Sequence, residues 1–357
     1  MRKTSKTVLY LILIVLCVIG IAAGSFFDLP VSEALYTGDS LAFRLIGFIT
    51  VILFFESCVL FLGVLCRQLW AGCKSIGRRV LVGVVFLYLF CSTSVLGGAK
   101  VLHDPLFAGC FSKLAGTLAG SLLAGAVCFI VTFLLGFIIN GNRHDADTIK
   151  VLIKLILMFT IGFLIAHYLN CMIDRPSYLR LIAEGSTDGF MPWYRLPKGS
   201  KLLMSFTDLI SSHQGSFVSG HVLYAVLFII IFPSYSLVIP SLKKHERVLT
   251  IIAGIIAVIV ILSRLLSGNN YLTDISFGAL YSLKFCMSFF NDKISLRHKR
   301  GADGTREDGG TRASRASRRK GLSGRFAGRG TQFNAEVVDA FEKSYPEINK
   351  VRQELQG

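Results

Sequence analysis

The sequence predicts an all-α fold, a multi-span membrane helix bundle of about eight spans, and three observations predict it. The 357-residue chain is 53% hydrophobic with a mean hydropathy of +0.60. Charged residues make up 17% of it, against about a quarter in ordinary soluble domains. Apolar runs of roughly twenty residues, the length that crosses a bilayer as a helix, recur along the chain, and the short segments between alternate runs are basic.

The spans fall at Val8–Phe27, Phe43–Cys66, Arg79–Leu96, Thr117–Ile139, Lys150–Asn170, His221–Ile239, Val248–Leu266 and Leu272–Phe290. The basic start Met1–Lys6 precedes a run of full span length without a small-residue cleavage site, so the first span is expected to be retained. The loops Arg67–Arg78, Asn140–Thr148 and Pro240–Arg247 carry Arg67, Lys74, Arg78, Arg143, Lys243, Lys244 and Arg247. Putting them on one side with the N-terminus and the tail satisfies the positive-inside rule. The expected location is a cell membrane, with several passes and both termini cytoplasmic.

Three parts follow: residues 1–78 with two spans, 79–291 with six spans and the long outer loop 172–220, and a tail at 292–357. That loop contains Met191-Pro192-Trp193-Tyr194, suited to a membrane interface, and an amphipathic stretch Leu202–Ile210; its length favours a lid or substrate-access role. The formal charge of +16 is uneven: residues 291–357 hold 15 Lys/Arg against 9 Asp/Glu. Beside a membrane such a tail suits orientation and anionic lipid headgroups, not nucleic acid. Gly, Arg and Ser dominate 298–332, which reads as disordered, and Phe333–Leu355 has a weak amphipathic pattern. Protein partners cannot be named from these features.

Few ionisable groups lie within the spans. Glu56 is mid-span and must face the bundle interior, as a pocket residue or as a helix-packing hydrogen bond. Lys154 and Lys284 are near enough to the cytoplasmic ends to snorkel. His167 reads as a packing histidine. The nine cysteines form no C-x-x-C pair and mostly sit in apolar runs, where cysteine acts as a small hydrophobe. No metal-ligand spacing, P-loop or dinucleotide fingerprint is present, so neither metal nor cofactor is expected.

Three polar clusters fall on the outer face of this topology. Asp174-Arg175-Pro176 ends the fifth span, Ser216-Phe217-Val218-Ser219-Gly220-His221 enters the sixth, and Arg264 to Asp274 links the last two. Together they suit a phosphate carried by a lipid. Arg175 and Arg264 offer paired charge-assisted hydrogen bonds. Ser219 and the N–H groups around Gly220 complete a cradle at a helix start, and His221 can protonate a leaving oxygen.

The order and spacing of these clusters resemble the integral-membrane branch of the type-2 phosphatidic acid phosphatase/haloperoxidase superfamily. Its motifs are Lys-x6-Arg-Pro, then Ser-Gly-His usually preceded by Ser-Phe-Pro, then Arg-x5-His-x3-Asp. The chain keeps Arg175-Pro176, a nearly intact second motif, and the third as Arg264-x5-Asn270-x3-Asp274. The resemblance covers Arg79–Phe290 and implies a six-helix core, a lipid phosphate or diphosphate substrate such as phosphatidic acid or a polyprenyl (di)phosphate, and hydrolase chemistry.

Two departures matter. The family lysine falls at Tyr168, which can donate one hydrogen bond but carries no charge. The family's nucleophilic histidine falls at Asn270, whose orienting aspartate is Asp274. An amide has no nucleophilic lone pair at neutral pH, and loss of the nucleophile in comparable catalytic units costs about a millionfold. Three readings stay open. The chain turns over with a substitute such as Asp274, His213 or His167; or it is a pseudoenzyme that binds lipid phosphate; or it is a scaffold or transport protein.

Overall fold

A computed structural model describes residues 3–107, 110–111, 113–139, 145–195 and 215–289. These belong to one compact unit, Met1–Asn291. The expectations for Leu202–Ile210, His213 and the tail lie outside the described residues. The helices are α1 (Lys3–Leu35), α2 (Leu41–Gly72), α3 (Ile76–Leu102), α4 (Leu118–Ile139), α5 (Ala146–Ile173), the short α6 (Tyr178–Ala183), α7 (Gly220–Ser234), α8 (Glu246–Leu266) and α9 (272–289). No strand occurs among the described residues. Among them, seven helices are long and apolar enough to cross a membrane, and α9 stands where the eighth span is expected. The protein is a multi-span helical bundle.

Polar residues punctuate the apolar runs. The side chains of Ser40, Ser75, Asp145, Ser177 and Ser219 each accept a backbone N–H in the first turn of the helix that follows, satisfying donors that a helix start leaves unpaired. At the end of α5, Asp174 adopts a left-handed conformation with φ 37°. Aspartate tolerates this better than most residues, and Pro176 prevents the helix from resuming. The chain therefore turns sharply at Arg175.

Helices α2 and α7 lie deepest. Phe54, Val59, Phe61 and Val64 of α2 and Val222, Leu223, Leu227 and Phe228 of α7 are buried in one apolar core. Leu11 and Phe26 of α1, Val127 and Ile138 of α4, and Ile251 and Ile255 of α8 are exposed, as expected of helix faces turned toward lipid. Helices α3 and α4 approach through small residues: the bare Cα of Gly98 lies against the Ser121 carbonyl, and that of Gly125 against Ser94. Without a hydrophobic drive between helices in lipid, such close backbone packing holds spans together.

Glu56 faces Thr132 and Cys128 of α4, which favours helix packing over a pocket role. Lys154 donates from Nζ to the Ser288 carbonyl at 3.2 Å, so α5 is tied to α9 at the end remote from the polar clusters. His167 is buried and stacks on Phe163.

Candidate functional site

All three polar clusters meet at one end of the bundle, in two layers. The deeper layer centres on Arg175, which is 0% exposed. Its Nη1 donates to Asp274 Oδ1 at 2.8 Å and to Thr273 Oγ1 at 2.9 Å. Its Nη2 donates to Asp28 Oδ2 at 2.9 Å, and Nε donates to the Met191 carbonyl at 2.6 Å. The guanidinium also lies over the Tyr271 ring, 3.9 Å from its centroid.

The carboxylates are engaged as fully. Asp274 accepts the Tyr271 N–H at 2.9 Å. Asp28 accepts the Thr273 N–H at 3.0 Å and also the Thr273 hydroxyl. Arg175 thereby pins α1, α5, α9 and the outer loop together. Trp193 of that loop supports the joint by donating from Nε1 to Ser25 Oγ at 2.9 Å.

The second layer centres on Asn270. Its Oδ1 accepts from Ser219 Oγ and from Arg264 Nε, each at 3.1 Å. Its Nδ2 donates to the Ser216 carbonyl at 2.7 Å. The side-chain amide is thus held at both ends, and the Ser219 hydroxyl proton points to Asn270, not outward to a ligand. The Ser219 N–H donates to the Asp274 carbonyl at 3.2 Å, which joins the two layers.

Three groups remain available above this brace. Among the described residues, Arg264 Nη1 and Nη2 and the His221 ring have no hydrogen-bond partner. The first N–H groups of α7, at Gly220 and His221, belong to the set that a helix start leaves without intrahelical partners. A methyl group on Gly47 of α2 would sit 3.3 Å from Arg264 Nη1 and 3.5 Å from His221 Nε2. The two side chains therefore flank one small space roofed by bare α2 backbone. Any side chain at 47 would enter that space.

Further charges surround it. Lys100, in the last turn of α3, lies with Arg264 within electrostatic reach of His221. Asp39 and Asp104 are the carboxylates near Arg264; Asp39 pairs with Arg44 Nε at 2.8 Å. Burial raises the Asp104 carboxyl above the usual range, opposed by the Leu106 N–H and by Arg264 and Arg44. No group of three or more His, Cys, Asp or Glu side chains suited to a metal occurs among the described residues.

Tyr168 stands half-buried in the last two turns of α5. An apolar cavity of about 350 Å³ extends along the bundle from Val218 toward Lys284 and Met287, lined also by Leu169, Leu223, Phe277 and Tyr281. It reaches Val218, next in sequence to Ser219.

Arg175, Ser219, Gly220, His221, Arg264, Asn270 and Asp274, all named from the sequence, come together at this end, joined by Asp28, Gly47 and Lys100, which the sequence did not single out. Asp28 carried a usable signal, as an acidic residue at the end of an apolar span. Lys100 carried another, since a lysine at the end of a span opposite the basic loops runs against the positive-inside trend. A glycine at 47 gave none.

The fold and the site define a class: a multi-span membrane protein with a polar, anion-suited recess at one end of its bundle. Residues 153–293 match the PAP2 superfamily. Phosphatidylglycerophosphatase B of Bacillus subtilis (strain 168) is 38% identical over 97 residues, 25% of this chain. The chain spans 45% of that relative's length, a little under half. No solved structure matches the chain.

Proposed function

We propose that this protein binds the phosphate of a membrane lipid at the recess between α2, α7 and α8 and does not hydrolyse it by a histidine nucleophile. The observation that carries the second half is the state of Asn270. Its Oδ1 accepts two hydrogen bonds and its Nδ2 donates a third, so the position a nucleophile would occupy is a structural brace. Asp274 is no substitute: it is 0% exposed and held by Arg175. A carboxylate so enclosed has no path to a water molecule or a phosphorus atom. His167 is buried against Phe163 in the bundle.

The first half rests on what stays free. Arg264 presents both terminal nitrogens, His221 presents its ring, and α7 presents the positive end of a 15-residue helix. Charge-assisted hydrogen bonds of this kind contribute about 1.5–3 kcal/mol each. Arg264 is oriented by Asn270, Ser219 shapes the start of α7, and Arg175 with Asp28 and Asp274 holds the scaffold under them. Tyr168 has no assigned contact with the phosphate in this reading.

The lipid assignment is supported by the match of residues 153–293 to the PAP2 superfamily, by the relative's printed name, and by the apolar cavity that reaches Val218, which suits an acyl or polyprenyl tail. Phosphatidic acid, phosphatidylglycerophosphate and polyprenyl (di)phosphate all combine such a tail with a terminal phosphate. The recess lies on the face opposite the basic loops, with both termini cytoplasmic.

Binding of phosphatidic acid in nanodiscs tests the reading. Saturable binding that falls at least tenfold in Arg264→Met is the expected result, given the worth of one such contact. Equal binding by wild type and Arg264→Met would overturn it.

A further inference from the structure

Lys100 lies on α3, outside the segment that matches the family. It is half-buried in the last turn of that helix. Among the described residues it makes no hydrogen bond or ion pair. Its electrostatic neighbours are Cys171 of α5 and His221 of α7. Cys171 follows Tyr168 by three residues, one turn along α5, so the lysine stands beside the last turn of that helix.

A cation in such a place is costly without a counterion. The carboxylates nearby are not its own: Asp39 pairs with Arg44, and Asp104 faces Arg264 and Arg44. Lys100 and Arg264 thus bring two positive charges to His221 with no carboxylate opposite Lys100. That surplus matches an anion of more than one charge. A phosphomonoester carries about −1.5 to −2 at pH 7, whereas a phosphodiester carries a single negative charge.

We propose that Lys100 is a specificity-determining residue of this recess, binding the second negative charge of a phosphomonoester and thereby selecting it over a phosphodiester. The inference rests on the proposed phosphate-binding reading. Arg264 grips either ligand, and Lys100 rewards only the doubly charged one.

The test compares wild type, Lys100→Met, Lys100→Arg and Arg264→Met in phosphatidylcholine nanodiscs. The ligands are phosphatidic acid, a monoester, and phosphatidylglycerol, a diester; glycerol 3-phosphate in solution is the tail-free monoester. Thermal unfolding of each variant accompanies the binding curves.

Wild type is expected to prefer phosphatidic acid. Lys100→Met should lose about tenfold in phosphatidic acid affinity and markedly less in phosphatidylglycerol affinity, so the preference narrows, while Lys100→Arg retains it. Unchanged phosphatidic acid affinity in Lys100→Met, with loss in Arg264→Met, would overturn the role of Lys100 and leave the binding site standing. Failure of wild type to bind any of the ligands would overturn both. If glycerol 3-phosphate binds as tightly as phosphatidic acid and loses equally in Lys100→Met, the selectivity stands and the ligand is a soluble phosphomonoester.

Discussion

At the scale of single residues, two positions decide what the recess can do. Asn270 is a hub whose amide holds Ser219, Arg264 and the Ser216 carbonyl together. Removing it frees the Arg264 fork, so Asn270→Ala is expected to weaken phosphatidic acid binding by about 3–10-fold, the worth of one to two ordinary hydrogen bonds, as read by titration in nanodiscs. Gly47 keeps the roof low. A branched side chain there would occupy the space between Arg264 Nη1 and His221 Nε2, which lie 3.3 and 3.5 Å from its first carbon. Gly47→Val is therefore expected to abolish binding while far-ultraviolet circular dichroism stays unchanged; retained affinity would mean that the ligand sits elsewhere. The polar residues of this site were largely legible in sequence because they cluster in three short runs between apolar spans. Their roles were less so, since Arg175 and Arg264 look alike in sequence and differ only in which neighbours reach them. One is enclosed by Asp28, Thr273 and Asp274, and the other keeps two nitrogens open.

At the scale of elements, hydropathy foretold the spans to within a turn or two at most ends, because a bilayer imposes both length and composition on a helix. The placement of α1 was not foretold. Its C-terminal part supplies Asp28 to the buried Arg175 network, so the first span braces the polar end and is not a mere addition to it. Nothing in an apolar run reveals which partner a carboxylate at its end will meet more than a hundred residues away. Breaking a buried pair by removing one partner costs about 3–5 kcal/mol. Asp28→Ala is thus expected to lower the unfolding temperature in detergent markedly, with Asp28→Asn less severe because the amide still accepts from the Thr273 N–H. Equal stability of Asp28→Ala and wild type would remove α1 from the scaffold. The α3–α4 contact carries a parallel expectation. Gly125 lies against the backbone of Ser94, so Gly125→Val should separate the helices and destabilise the protein, a loss that thermal unfolding would detect.

At the scale of the whole molecule, the segment that matches the PAP2 superfamily is combined with helices outside that match. Residues 153–293 bring Ser219, His221, Arg264 and Asn270, while α1 to α3 bring Asp28, Gly47 and Lys100 to the same end. Positive groups gathered at one recess make binding of an anionic headgroup sensitive to salt, and phosphatidic acid affinity is expected to fall as ionic strength rises, with a shallower slope in Arg264→Met. The central claim is that a phosphate is held where no side chain is placed to attack it. Inorganic phosphate released from phosphatidic acid by the purified protein in nanodiscs tests this most directly. Release no faster than from protein-free nanodiscs is predicted, under conditions where binding is saturated. Sustained turnover by wild type, abolished in His221→Ala, would contradict it.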